Sequence, residues 1–460
     1  MLSRSICRRN IPENCLLLVS PSRRPPVNEI NASDTTWLLV SSAMVLLMTP
    51  ALALFYGGMV RTKNTLSTFM HSFFAMGIVT LAWVTLGYSM AFAESKGGFI
   101  GGLDHAFLNG VGTEARAGMT VPHLLFMAFQ MMFAIITPAL ISGAYAERIK
   151  FSSYVVFTLL WSLLVYSPLC HWVWNPGGWL LSRGALDFAG GTVVHLSSGA
   201  SALVMAIMLG KRKGYPTRKI VPHNLTMTLL GAGLLWFGWF GFNGGSSLAA
   251  NGLASVAFVN THIAAAIAAL AWALIEAVRF GKPSLLGVAS GLVAGLVAIT
   301  PAAGFVGPMA SVAIGLAAGA VCYGAVMLKG KLGYDDSLDA FGIHGVGGLL
   351  GALLTGVFAS KVWNSAGQDG LLKGNSALLT EQAIAAAVAA AYAAVVTFVL
   401  VKGISAVMGF RVDEEIEDEG LDVALHGEEA YSLGEGGAHA VESEPPARPA
   451  PAPVLAREGA

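Results

Sequence analysis

Asp187-Phe-Ala-Gly-Gly-Thr-Val-Val-His195 runs on into Leu196-Ser-Ser-Gly-Ala-Ser-Ala-Leu203. The stretch opens with a carboxylate suited to cap a helix, because Asp accepts the orphan amide protons of the first turn and the helix dipole favours its charge. Two turns later a lone imidazole, His195, sits in an apolar helix among small residues. An ionisable group at membrane depth is a functional-site candidate. A second such group stands 149 residues on, in Phe341-Gly-Ile-His344-Gly-Val-Gly-Gly, again after an acidic residue, Asp339. The pairing of these patterns predicts that His195 and His344 meet; the competing reading is two unrelated core histidines, each satisfied by a nearby carbonyl.

The composition around them is that of a membrane protein. Hydrophobic residues make up 55% of the chain and charged ones 12%, with 55 glycines, and the mean hydropathy is +0.65. Soluble domains carry about twice that share of charge. Apolar runs long enough to cross a bilayer, about 18 residues or more, recur eleven times, from Thr36–Val60 to Ala383–Val401. The expected fold is therefore an all-α polytopic membrane protein in a lipid bilayer. No nucleic-acid partner is expected.

Lysines and arginines set the expected orientation. If the first span starts outside, fifteen of them fall in inner loops and five (Lys96, Arg116, Arg183, Lys361, Lys373) in outer ones. This asymmetry puts the N-terminus outside and the C-terminus in the cytoplasm. None falls within an expected span. Eleven spans divide as five, five and one, and a five-span unit copied in tandem must be inverted in its second copy, so an inverted repeat plus one extra helix is expected. His195 and His344 then lie in the last span of each half.

Residues 1–33 form an atypical N-terminal segment, which reads either as a degenerate signal peptide or as an extension from a misassigned start. Residues 34–410 are the expected transmembrane domain. Residues 411–460 form an acidic cytoplasmic tail, expected to be disordered after about 432 from its Pro, Ala, Gly and Glu content, and able to dock on a basic inner surface that includes Lys211, Arg212, Lys213, Arg218 and Lys219. Cys7, Cys15, Cys170 and Cys322 lack ligand or disulfide spacing. Two histidines without a third ligand or a cysteine pair make no metal site, and no cofactor is expected.

Aromatic residues gather toward the expected outer ends of three spans, as Phe129-Gln-Met-Met-Phe133, His171-Trp-Val-Trp174 and Trp236-Phe-Gly-Trp239-Phe-Gly-Phe242-Asn-Gly-Gly-Ser246. Phe129 and Phe133, four apart, share a helix face. A single interfacial Trp usually anchors the protein in the headgroup region. Trp174 has no Lys or Arg beside it in sequence, so its ring face can attract a small cation.

Taken with Gly281-Lys-Pro-Ser-Leu-Leu-Gly and Glu419-Gly-Leu-Asp-Val-Ala-Leu-His-Gly-Glu, these motifs resemble the ammonium transporter family (Amt/Mep/Rh), bacterial Amt branch, from about Asp34 to Tyr431. The resemblance implies eleven-helix subunits assembled as homotrimers in the bacterial inner membrane, each with its own pore, and no enzymatic activity. It implies an outer ammonium recruitment site from Trp174, Ser246 and Phe129, and a gate of stacked rings from Phe133 and Phe242. The pore would be lined by His195, His344 and Trp239, with Asp187 supporting the outer site from beneath. It also implies a PII signalling protein as a partner on the tail and inner loops. Ammonium would be deprotonated at the outer mouth, ammonia would pass along an apolar lumen, and the proton would use the histidine pair, which should stay neutral away from carboxylates. The alternatives are a Rhesus-type channel for neutral gas, against which Trp174 with Ser246 speaks, and an ammonium sensor of the same fold.

Overall fold

A computed structural model describes residues 29–217 and 220–431. Most of the N-terminal segment with Cys7 and Cys15, the pair Arg218 and Lys219, and the tail after Tyr431 lie outside the described residues.

The described chain is a bundle of apolar helices. Ten are long and apolar enough to cross a membrane: α1 (Ala32–Met59), α2 (Thr62–Phe92), α3 (His123–Tyr145), α4 (Phe151–Ser182), α5 (Gly191–Leu209), α6 (Leu225–Gly245), α7 (Gly252–Phe280), α9 (Pro308–Leu332), α10 (Phe341–Phe358) and α11 (Ser376–Met408). Between the seventh and the ninth lies α8 (Leu285–Ile299), shorter at 15 residues. At 1.5 Å per residue it spans roughly 22 Å. The apolar run in the sequence reaches Ala302, but the helix ends at Ile299 because Pro301 cannot continue it. The chain then turns back toward Phe188, whose amide donates to the Pro301 carbonyl at 3.1 Å.

Helix ends follow local chemistry. Asn31 caps α1 through Ser33 N and Asp34 N, Asn251 caps α7 through Leu253 N and Ala254 N, and Ser284 caps α8 through Gly287 N. Such caps satisfy amides that hydrocarbon would leave bare. Gly281 and Gly333 close α7 and α9 in the left-handed region at φ 79° and 75°. Several helices run past the expected spans and carry Lys63, Arg279, Lys329, Lys331 and Lys402 within them. The expectation of spans free of cations therefore holds only for their central parts.

The face opposite Trp174 collects a buried ionic network. Glu147 pairs with Arg61 at 3.0 Å and with Arg212 at 2.8 Å, and Arg212 pairs with Asp335 at 2.8 Å. Burial pushes both carboxyls up, but the facing guanidiniums outweigh it and hold Glu147 and Asp335 below the usual carboxylate range. Onto this network folds the acidic segment, with short helices α12 (Glu414–Glu419) and α13 (Leu421–His426). Glu417 bonds Arg411 and the Lys213 amide, Asp418 pairs with Lys213, and the Asp422 carboxylate accepts from Leu66 N and Ser67 N at 3.0 and 2.8 Å.

Candidate functional site

Asp187 lies just ahead of α5 and accepts the amides of Gly190, Gly191, Thr192 and Val193 at 2.7–3.1 Å. With its first-turn donors tied down, α5 begins as a π-helical turn over Gly191–Leu196, wide enough to carry His195 inward. The second histidine is delivered the same way, by a π-helical turn over Phe341–Gly345. Such turns are frequent at functional sites. The capping acid there is Asp336, which takes Ala340 N at 3.1 Å and Phe341 N at 2.8 Å. Asp339, the acid singled out in the sequence, instead has φ 61° and pairs with Lys329. A missed signal was available, since Asp187 to His195 and Asp336 to His344 are the same distance apart in the chain.

The two histidines meet. His195 Nδ1 and His344 Nδ1 are 3.3 Å apart, and the rings are nearly parallel at 16° with centroids 5.3 Å apart. Their helices cross closely because no side chain intervenes, and a Cβ on Gly199 would fall 2.1 Å from the Gly345 nitrogen. Trp239 stacks on His195 at 5.3 Å, fixed by its indole N–H donating to Thr300 Oγ1 at 2.9 Å. His195, His344, Trp239 and Phe242 line an enclosed cavity of about 10 Å³ whose other walls are apolar, among them Leu52, Ile136, Leu140 and Val293. His195 Nε2 is buried with no protein partner among the described residues.

Above this cavity lies a larger one of about 180 Å³, lined by Trp174, Ser246, Phe133, Phe126, Gln130 and Arg116 among others. The Trp174 indole N–H donates to the Asp187 carbonyl at 2.9 Å, so Asp187 holds the start of α5 with its carboxylate and the tryptophan with its backbone. Ser246 Oγ donates to the Phe242 carbonyl at 2.8 Å, which leaves its oxygen lone pairs as acceptors. Phe133 lines the larger cavity and Phe242 the smaller one, and their centroids lie 4.3 Å apart. The two rings are the partition between the cavities.

Phe129 is buried under Phe133, 4.9 Å away, and is not among the residues lining the larger cavity, where Phe126 stands instead. Phe126, Gln130, Thr300 and Asp336 are further residues of the site that no motif above marks. Arg116 reads in sequence only as an outer-loop cation, and the fold brings it to the cavity that Trp174 also lines.

The description "Ammonium Transporter Family" matches residues 36–431. A Bacillus subtilis ammonium transporter is 53% identical over 400 residues, covering 86% of this chain and 98% of that one. The chain belongs to the ammonium transporter family. Within that family, Amt1 of Archaeoglobus fulgidus is 49% identical, over 87% of this chain and 99% of its own. Among solved structures, Saccharomyces cerevisiae Mep2 superposes with a TM-score of 0.79 at 38% identity, covering 84% of this chain and 89% of that one. A structure titled "Sensor Amt Protein" superposes equally well at 30% identity, over 86% of this chain and 98% of that one. The protein is thus a multi-pass ammonium transporter of the membrane and belongs to a family of transporters, not of enzymes.

Proposed function

We propose that the protein recruits ammonium in the Trp174 cavity, removes a proton there, and passes ammonia between Phe133 and Phe242 into the histidine-lined cavity. The observation that carries this reading is the pair of cavities parted by one ring contact, the larger aromatic and partly polar, the smaller apolar except for two imidazoles. Ammonium and potassium share charge and similar size, so fit alone cannot separate them. Carrying a bare cation to the bilayer centre costs at least about 2.5–3.5 kcal/mol, and among the described residues no carboxylate lines the small cavity to offset it. Ammonia needs only a hydrogen-bond partner, and ammonium alone of the two can become neutral.

In this reading the Trp174 ring face and Ser246 Oγ hold the cation, with Phe129 backing Phe133 from behind. Two Nδ1 atoms 3.3 Å apart can share one proton, one donating and the other accepting. The pair then relays the proton while ammonia crosses, which makes transport electrogenic. The equal Asp-to-His spacing and the paired π-helical turns support two inverted five-span halves, with the N-terminus outside and the C-terminus in the cytoplasm of the inner membrane.

The homotrimer belongs to the same proposal. His262 on α7 is exposed and stacks on Trp236 at 5.2 Å and 17°. An ionisable ring on the outer surface of a span favours a second copy as its neighbour over lipid. The docked acidic segment and the basic loops around Lys213 offer a polar surface for a PII protein. Uptake by liposomes under an ammonium gradient tests the proposal: ammonium and methylammonium should enter and potassium should not.

A further inference from the structure

We propose that Arg116 sets how tightly the Trp174 cavity holds a cation, by covering one of its aromatic walls with a tethered positive charge. The inference rests on the transport reading above for the location of the recruitment site. Among the described residues, Arg116 is the only charged one lining the cavity. Its guanidinium carbon lies 4.1 Å from the centroid of Phe126 and 5.5 Å from that of Phe92, and both rings line the same space. At 4.1 Å the guanidinium occupies the Phe126 ring face by a cation–π contact, which closes that face to an incoming ammonium.

The placement is built into the loop before α3. The Arg116 amide donates to the Val121 carbonyl at 3.1 Å and its own carbonyl accepts from Met119 at 2.9 Å, a tight turn closed by a bridge between Ala115 and Pro122. A guanidinium N–H points to the Met119 sulfur at 3.7 Å. Among the described residues no carboxylate lies within ion-pair distance of Arg116. Its charge is therefore felt by whatever enters the cavity. Two effects act in the same direction: one of the aromatic faces is taken, and the remaining ones sit in a repulsive field. A cavity arranged in this way favours a high-capacity, lower-affinity carrier, with Trp174 left as the aromatic face for the cation.

The test compares the full-length native protein with Arg116→Gln, Arg116→Met and Arg116→Lys. Methylammonium binding is measured by calorimetry in detergent and ammonium uptake in liposomes. The Met variant keeps an apolar stem against Phe126, so loss of packing is separated from loss of charge. Arg116→Gln and Arg116→Met should lower both the dissociation constant and KM by roughly three- to tenfold, from combined Coulomb and cation–π relief. The maximal rate should change much less, and Arg116→Lys should stay near the native constants. In the native protein, raising ionic strength with a bulky organic chloride should tighten methylammonium binding, and the Gln variant should lack that response. Neutral variants that bind as weakly as the native protein, or an ionic-strength response that survives in Arg116→Gln, would overturn the proposal. Native protein that binds methylammonium without transporting ammonium would remove the transport reading while the binding series still decides the role of Arg116.

Discussion

At 3.3 Å, the Nδ1 atoms of His195 and His344 cannot both carry protons aimed at each other, so one must present a lone pair. That constraint requires complementary tautomers in the two rings, both of which line the apolar cavity. Replacing either histidine by Asp puts a possible negative charge on the path and lowers the cost of a dehydrated cation. His195→Asp and His344→Asp should therefore leak potassium, measured as potassium-driven current in liposomes that native protein lacks. Trp174→Leu removes a ring face at the cavity mouth and the single bond to the Asp187 carbonyl. A cation–π contact of about 0.5–2 kcal/mol predicts a KM for ammonium raised roughly two- to thirtyfold with the fold retained, and an unchanged concentration dependence would assign the ring to anchoring alone. These side chains were legible in the sequence because each breaks its local pattern: an imidazole in an apolar run, or aromatics near a span end. Arg116 and Phe126 were not, since their importance comes from loop packing that brings a turn before α3 over a cavity formed mainly by other elements.

Helices α5 and α10 are positioned by two devices, an acid that caps each start and glycines that let them touch. Asp187→Ala would strip four amides of their acceptor. Loss of a cap costs about 0.5–2 kcal/mol, with the upper end expected here, and uptake should fall as His195 loses its fixed presentation; thermal unfolding and uptake of the same preparation check both. Gly199→Val should be worse, because the added side chain meets backbone at the crossing. Burial pushes the Asp336 carboxyl up to about 6. A raised carboxylate contributes stability that is complete below its unfolded value of about 3.9 and is lost as pH rises through the folded value. Unfolding temperature should accordingly decline between about pH 4 and 6, and Asp336→Asn should remove that slope. The span pattern was readable from hydropathy. The short α8 and Asp336 also had sequence signals, Pro301 and an Asp-to-His spacing equal to that of Asp187 and His195, whereas the π-helical turns depend on backbone geometry that composition does not encode.

Across the whole molecule, the Glu147, Arg212 and Asp335 network ties α1, α3, α5 and α9 together at one face and gives the acidic segment a platform. The folded values of Glu147 and Asp335 lie below the usual carboxylate range, so their contribution is present above the unfolded values of about 4.3 and 3.9 and is lost as pH falls below them. Glu147→Gln leaves Arg61 and Arg212 facing an uncharged group in a buried site, which should cost about 3–5 kcal/mol and flatten the acid limb of the unfolding profile. Deleting the chain after Phe410 removes partners of Lys213 and of the α2 amides at Leu66 and Ser67. The truncated protein should still assemble and transport, with altered regulation; failure to assemble would make the segment part of the core.

The most direct test of selection by deprotonation is ammonium-evoked current in liposomes containing the His195→Ala, His344→Ala double variant. Loss of the selective current seen with native protein is the predicted result. A double variant that still carries ammonium-selective current of native size would show the pair to be core packing and contradict the mechanism.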